Sequence, residues 1–202
     1  MMEREKFVEW VKTSGYWMGM LLYFEPRHSV LKPILDALDN MDWQEGWLPA
    51  LKNEDEIVAL LRQRDNLPEQ FQAQFIGPNA LPAPPWSTVY LDEEAVIFGK
   101  PLIDLRKFML KNDICCNVGT EEPEDQVGLM LMMAGYIANS NPKILDEYLA
   151  KYLFTWVWRY LSLLTKQTES PFYRGVGLIA EQTLSLWQMN IKCAVPKLPL
   201  YF

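Results

Sequence analysis

The chain has 202 residues, 50% hydrophobic and 13% aromatic with eight tryptophans, a composition that supports a substantial folded core and excludes a disordered chain. Its formal net charge of -7 argues against nucleic acid as a partner, because phosphate binding needs basic patches, and leaves room for a cationic one.

In chain order the pattern is helical nearly throughout, with no strand. A first helix over 4–24 places Phe7, Trp10, Val11 and Ser14 on one face, followed by Trp17, Leu21 and Phe24. Gly15 and Gly19, four apart, make a smooth strip where another helix can approach. A loop at 25–28 leads to a short helix over 29–41. The next helix, 53–66, has Asn53 as N-cap and turns Ile57, Leu60 and Leu61 inward. Pro68 opens another, which ends at Gly77.

The segment 71–90, FQAQFIGPNALPAPPWSTVY, is the most distinctive in the chain. Phe71 and Phe75 stand at helical spacing, the chain breaks at Gly77-Pro78, and Pro82, Pro84, Pro85 and Trp86 follow. Proline fixes φ and lacks a backbone donor, so this run is neither helix nor central strand. It is a stiff loop carrying large apolar groups. Such a loop is either a cover over the core or the wall of a binding groove whose shape is set before a ligand arrives.

Beyond it, a helix over 101–112 buries Leu102, Leu105, Phe108 and Met109, and 114–120 is irregular. A helix from Glu121 or Glu122 to about 139, with Pro123 in its first turn, is apolar almost all round and belongs at the centre. Asn141-Pro142 and Ser170-Pro171 each read as a cap followed by proline at the first helical position. The helices they open run to about 152 and 192. Between them, 155–167 turns Trp156, Tyr160, Leu163 and Leu164 inward. The proline-rich tail, 195–202, packs along the surface. With no repeat, linker or low-complexity segment, 1–202 reads as one all-helical domain.

The N-terminal residues lack the features of a secretory signal, and the apolar runs at 15–24 and 127–138 are too short to span a bilayer. Cys115, Cys116 and Cys193 include an adjacent pair and an odd thiol, which fits reduced cysteines in a cytosolic setting. His28 is the only histidine and reads as a solvated loop residue. Neither a metal-ligand cluster nor a glycine-rich phosphate loop is present, and no cofactor is expected.

Glu122-Pro123-Glu124-Asp125-Gln126 admits two readings. The acids complement the dipole of a helix N-terminus, or Asp125 or Glu122 faces a groove and receives a guanidinium. An enzyme using Glu122 and Asp125 as acid and base is the remote third reading.

Taken together these motifs are recognisable. Phe71, Phe75, Gly77-Pro78, then Leu81-Pro82-x-Pro84-Pro85-Trp86, Tyr90-Leu91-Asp92, Phe98-Gly99, and Glu122-Pro123-x-Asp125 resemble the TorD/DmsD family of redox-enzyme maturation chaperones, most closely its DmsD branch. Similarity continues through Pro171-Phe172-Tyr173-Arg174, so it spans nearly the whole chain. The resemblance implies a cytoplasmic, all-α helical bundle that is not an enzyme. Its expected ligand is the twin-arginine signal peptide of a molybdenum-containing reductase of the DMSO or TMAO type. The chaperone would hold that precursor until cofactor insertion, before Tat export, with transient contact to the Tat translocon. Relatives include monomers and domain-swapped dimers, and a monomer is the expectation. The implied peptide-binding residues are Tyr23, Phe71, Phe75, Pro85, Trp86, Tyr90, Glu122, Pro123, Asp125 and Gln126. An alternative within the same broad family is an assembly factor that grips the mature apo-reductase, as nitrate-reductase assembly chaperones do. Gln126 departs from the family's histidine, so a cationic role at that position is lost while hydrogen bonding survives.

Overall fold

The computed structural model describes residues 2–40, 43–94, 98–116 and 121–202. Ten helices lie among them: α1 (Arg4–Tyr23), α2 (Lys32–Asn40), α3 (Glu54–Leu61), α4 (Leu67–Phe71), α5 (Ser87–Leu91), α6 (Lys100–Lys111), α7 (Val127–Ser140), α8 (Leu145–Tyr148), α9 (Val157–Gln167) and α10 (Pro171–Asn190). Among the described residues there is no strand, only one isolated antiparallel bridge between Trp86 and Gln126. The fold is therefore all-α, as the periodicity implies.

The molecule is organised around α1 and α7, which pack along much of their lengths. The reason is the pair of small-residue strips. A Cβ placed on Gly19 would sit 2.6 Å from the Gly128 carbonyl, so only glycine lets the two backbones approach this closely. α7 is buried on nearly every side from Val127 to Ala138, which accounts for its almost uniformly apolar sequence. α10 lies across α1, α3 and α9 and starts as expected, with the Ser170 hydroxyl accepting from the Tyr173 N–H at 3.1 Å. The inward face of α9 is also as expected, with Trp156 just before it and Tyr160, Leu163 and Leu164 along it, all buried.

Several boundaries differ from the sequence reading. The helix expected over 53–66 ends at Leu61, and Asn66 lies in the left-handed region at φ 54°. Asn53 is left-handed too, at φ 56°, and makes no side-chain cap. Asparagine tolerates that conformation, so the two residues act as breaks rather than caps. α7 begins at Val127, so Glu122, Pro123 and Asp125 precede the helix instead of forming its first turn. Asn141 and Pro142 form a turn, and α8 opens only at Leu145. The short helix α5, directly after the proline run, is an addition. The expected end of α2 at Met41 and the second half of the irregular 114–120 segment lie outside the described residues.

Two helices end in a wider π turn. The Gly77 N–H donates to the Gln72 carbonyl and the Phe154 N–H to the Leu149 carbonyl, each at 2.9 Å and each five residues back. Gly77, at φ 99°, then turns the chain into the proline loop, a conformation that glycine adopts without strain.

Candidate functional site

The proline loop is anchored where it ends. Pro84 and Pro85 supply carbonyls but no N–H, so this edge can only accept until Trp86. The Val127 N–H donates to the Pro85 carbonyl at 2.7 Å, and the Ser87 N–H donates to the Asp125 carbonyl at 3.1 Å. These bonds frame the Trp86–Gln126 bridge. The loop is thus clamped onto the chain just before α7.

Asp125 is the core of that clamp. Its Oδ2 accepts from the Ser87 hydroxyl at 3.0 Å and the Thr88 N–H at 2.9 Å, satisfying a donor that the first turn of α5 leaves unpaired. The residue is 0% exposed, and its Oδ1 has no hydrogen-bond partner among the described residues. Burial raises its pKa above the ordinary carboxylate range, and the bonds from Thr88 and Ser87 pull it partly back. The arrangement places this carboxylate beneath the loop, where it serves α5, and away from any open face that a guanidinium could enter.

Glu122, unlike Asp125, reaches the surface. It is half-buried, and its Oε1 accepts from the Trp86 indole N–H at 2.6 Å. Burial raises its pKa, the Trp86 bond lowers it, and the nearby Asp125 charge raises it again. Trp86 is half-buried too, with its indole held in orientation by that bond. Gln126 ties the clamp to both central helices. Its Oε1 accepts from the Gly128 and Leu129 N–H groups at 2.5 and 3.0 Å, capping α7, and its Nε2 donates to the Leu22 carbonyl near the end of α1 at 2.9 Å. Tyr23, half-buried, closes α1 beside Gly128.

Tyr23, Pro85, Trp86, Glu122, Pro123, Asp125 and Gln126 are thereby connected through one short stretch of structure. Phe71 and Phe75 belong to a neighbouring aromatic group. Their rings are 4.9 Å apart, and Phe75 meets Tyr173 edge-on at 4.9 Å; both phenylalanines are buried. Tyr90 is fully buried, stacked on Trp156 at 5.3 Å, with its hydroxyl donating to the Pro84 carbonyl at 2.8 Å. Burial pushes its phenol far above the usual range.

Two large cavities open on the surface. One of about 1080 Å³ lies among α5, α6, α8 and the C-terminal tail. The other, of about 990 Å³, is walled by the first half of the proline loop and by α4, with Gln74 and Ser170 on its lining. Trp86 and Glu122 line neither. The second cavity carries Asp65, Glu69 and Glu169 against one cation, Arg27. Sequence reasoning missed these three acids, which come from separate elements, and missed Ser87 and Thr88. A hydroxyl pair just before an apolar run is an N-terminal helix signature and marks the latter. Among the described residues, no group of three or more His, Cys, Asp or Glu side chains is placed to hold a metal ion. Nor is any described helix long and apolar enough to cross a membrane.

The sequence profile of the nitrate reductase delta subunit family matches residues 46–157. The DmsD homologue of Haemophilus influenzae is 37% identical over 95% of this chain and 96% of its own length. The Tat proofreading chaperone DmsD of Salmonella typhi is 35% identical over 91% of this chain and 92% of its own. A solved structure from Archaeoglobus fulgidus, described as a redox enzyme maturation protein, superposes with a TM-score of 0.54 at 16% identity, covering 90% of this chain and 94% of that one. The chain belongs to the TorD/DmsD family of redox-enzyme maturation chaperones. It is a chaperone rather than an enzyme.

Proposed function

We propose that this protein is a cytoplasmic proofreading chaperone that binds the twin-arginine signal peptide of a molybdenum-containing reductase of the DMSO or TMAO type. It holds the precursor until the cofactor is inserted and then yields it to Tat export. The single observation that carries this reading is the orientation of Trp86. The half-buried Trp86 is held through its indole N–H to Glu122 at 2.6 Å, on a loop that the bonds to Asp125 and Val127 tie to the start of α7. Little ordering entropy remains to be lost when an apolar leader segment lies against it. The name carried by the Salmonella relative supports the same partner.

A leader of this kind has a cationic start and an apolar middle. Each leucine-sized side chain that it buries contributes about 1.5–3 kcal/mol before ordering costs. The apolar wall therefore dominates affinity. The acids of the second cavity, Asp65, Glu69 and Glu169, lie along the same proline loop and steer the arginines, mainly through the association rate. One continuous set of buried apolar residues runs from Phe7 to Trp187, which supports reading residues 1–202 as a single domain.

Calorimetric titration with a synthetic twin-arginine leader tests this. Wild type binds with a Kd of about 1 μM, tight enough to hold a client and weak enough to release it. Trp86→Ala weakens binding about tenfold or more, and Asp125→Asn less. Neutralising Asp65, Glu69 and Glu169 together slows association and flattens its salt dependence. Absence of heat from wild type with the leader, combined with retention of leaderless apo-reductase in a pull-down, would replace this reading with that of an assembly factor for the mature enzyme.

A further inference from the structure

After α10 the chain runs without regular structure back to Tyr90. Leu198, Pro199 and Tyr201 form one side of the 1080 Å³ cavity, where Leu91, Phe108 and Tyr152 make an apolar strip among five acids and four lysines. The Tyr201 N–H donates to the Tyr90 carbonyl at 2.9 Å. That carbonyl is one of the acceptors that the last turn of a short helix leaves open. The Phe202 ring stands edge-on to Tyr90 at 5.6 Å, and Arg159 Nε donates to the Phe202 carbonyl at 2.9 Å. A main-chain bond to an open acceptor, plus a side chain seated on an aromatic floor, is how an extended peptide is commonly held.

The tail is held loosely all the same. Leu198, Leu200, Tyr201 and Phe202 are each 45–48% exposed. A segment that only completed the core would bury side chains of this size. This one lies half in water across a large cavity, and the guanidinium that meets its end is itself exposed. Side chains left half in solvent, with few buried contacts, are the marks of a segment that opens locally.

We propose that the surface under the tail, at Tyr90 and Arg159 on the edge of this cavity, is a second peptide seat, taking an extended apolar segment of a client polypeptide, which residues 198–202 cover in the unliganded chain and vacate when that segment arrives. The resident strand defines the ligand. It needs one main-chain N–H for Tyr90, and at the next residue an aromatic side chain edge-on to Tyr90 and a main-chain oxygen for Arg159. Proline is accepted at the position of Pro199, and arginine is not required anywhere. The seat uses neither Trp86 nor Glu122, so it goes beyond leader binding.

The probe is a fluorescein-labelled peptide of residues 196–202, titrated by anisotropy into the full chain and into a chain ending at Lys197. Saturable binding to the shortened chain, at least tenfold weaker binding to the full chain, and a further several-fold loss with Arg159→Ala in the shortened chain are expected. Equal binding to both chains, or none to a shortened chain that still melts cooperatively, overturns the proposal. Should the shortened chain not fold, hydrogen exchange in the full chain decides. A Tyr201 amide exchanging orders of magnitude faster than amides of α7 supports a tail that opens, and protection equal to α7 refutes it. The probe carries no arginine, so its outcome is read independently of the leader titration.

Discussion

Tyr90 is gripped from two sides by segments of opposite character. On one side the proline loop takes its hydroxyl through the Pro84 carbonyl, and Asp125, Ser87, Thr88 and Gln126 fix the backbone around it with buried hydrogen bonds. On the other side the tail takes its carbonyl through Tyr201 and rests Phe202 on its ring, with the tail side chains half in solvent. The number of contacts does not separate the two. What separates them is the consequence of breaking one: a lost partner in the clamp leaves a polar group unpaired and out of reach of water, whereas a lost tail contact is replaced by solvent. The first region is built to stay and the second to leave.

Substitutions sharpen this contrast, beginning with the floor that both sides share. Trp156 is 1% exposed and stacks on Tyr90. Trp156→Ala removes support from both segments and is expected to cost about 3–5 kcal/mol in chemical denaturation. Asp125→Ala strips two donors of their acceptor and is expected to cost about 1–3 kcal/mol, read in the same way. Its pH dependence has a definite sign. Because the folded-state pKa of Asp125 is raised above its ordinary 3.8, its contribution is fully present below that value and is lost as pH rises through the folded pKa. Denaturation midpoints at stepped pH should therefore show wild type losing ground, as pH rises from 3.8, to an Asp125→Asn variant whose amide does not titrate. Parallel curves would mean that the buried carboxylate is ionised at no cost.

Gln126 sits at the junction of the clamp with α1 and α7. Gln126→Ala removes an N-cap and the donor to Leu22, and an expected loss of about 0.5–2 kcal/mol is checked by thermal melting. Gln126→His is the informative partner to it. An imidazole can accept at the α7 start through one nitrogen and donate through the other, so recovery of most of that loss would show that the position works by hydrogen bonding and needs no positive charge.

How far the sequence disclosed this arrangement depends on the range of the interaction. Periodicity and caps located α1, α6, α9 and α10 closely, because a helix with one apolar face carries its signal within a few turns, and Ser170 caps through a bond three residues long. That 77–85 is neither helix nor strand was legible from proline chemistry alone. The start of α7 was not. Glu-Pro-x-Asp reads locally as a first helical turn, yet Trp86 and Ser87, 36 and 38 positions away in the chain, take Glu122 and Asp125 for the loop. The five residues of α5 are too few to show a period. The acids of the second cavity sit on separate elements and only the fold gathers them. Local grammar thus revealed the scaffold, the family resemblance nominated most of the residues of the clamp, and the role of each acid came from pairings that no local pattern encodes.

The smallest expected effect tests the tail. Phe202→Ala removes one edge-on ring contact at the solvent boundary, where such a pair is worth about 0.5–1.5 kcal/mol beyond its buried area. If the tail opens locally, most of that energy is already forfeited in the open state. The global melting temperature should then hardly move, while exchange at the Tyr201 amide accelerates. A Phe202→Ala variant that lost global stability as Asp125→Ala does would place the tail with the clamp, as a fixed part of the fold, and the contrast between the two sides of Tyr90 would collapse.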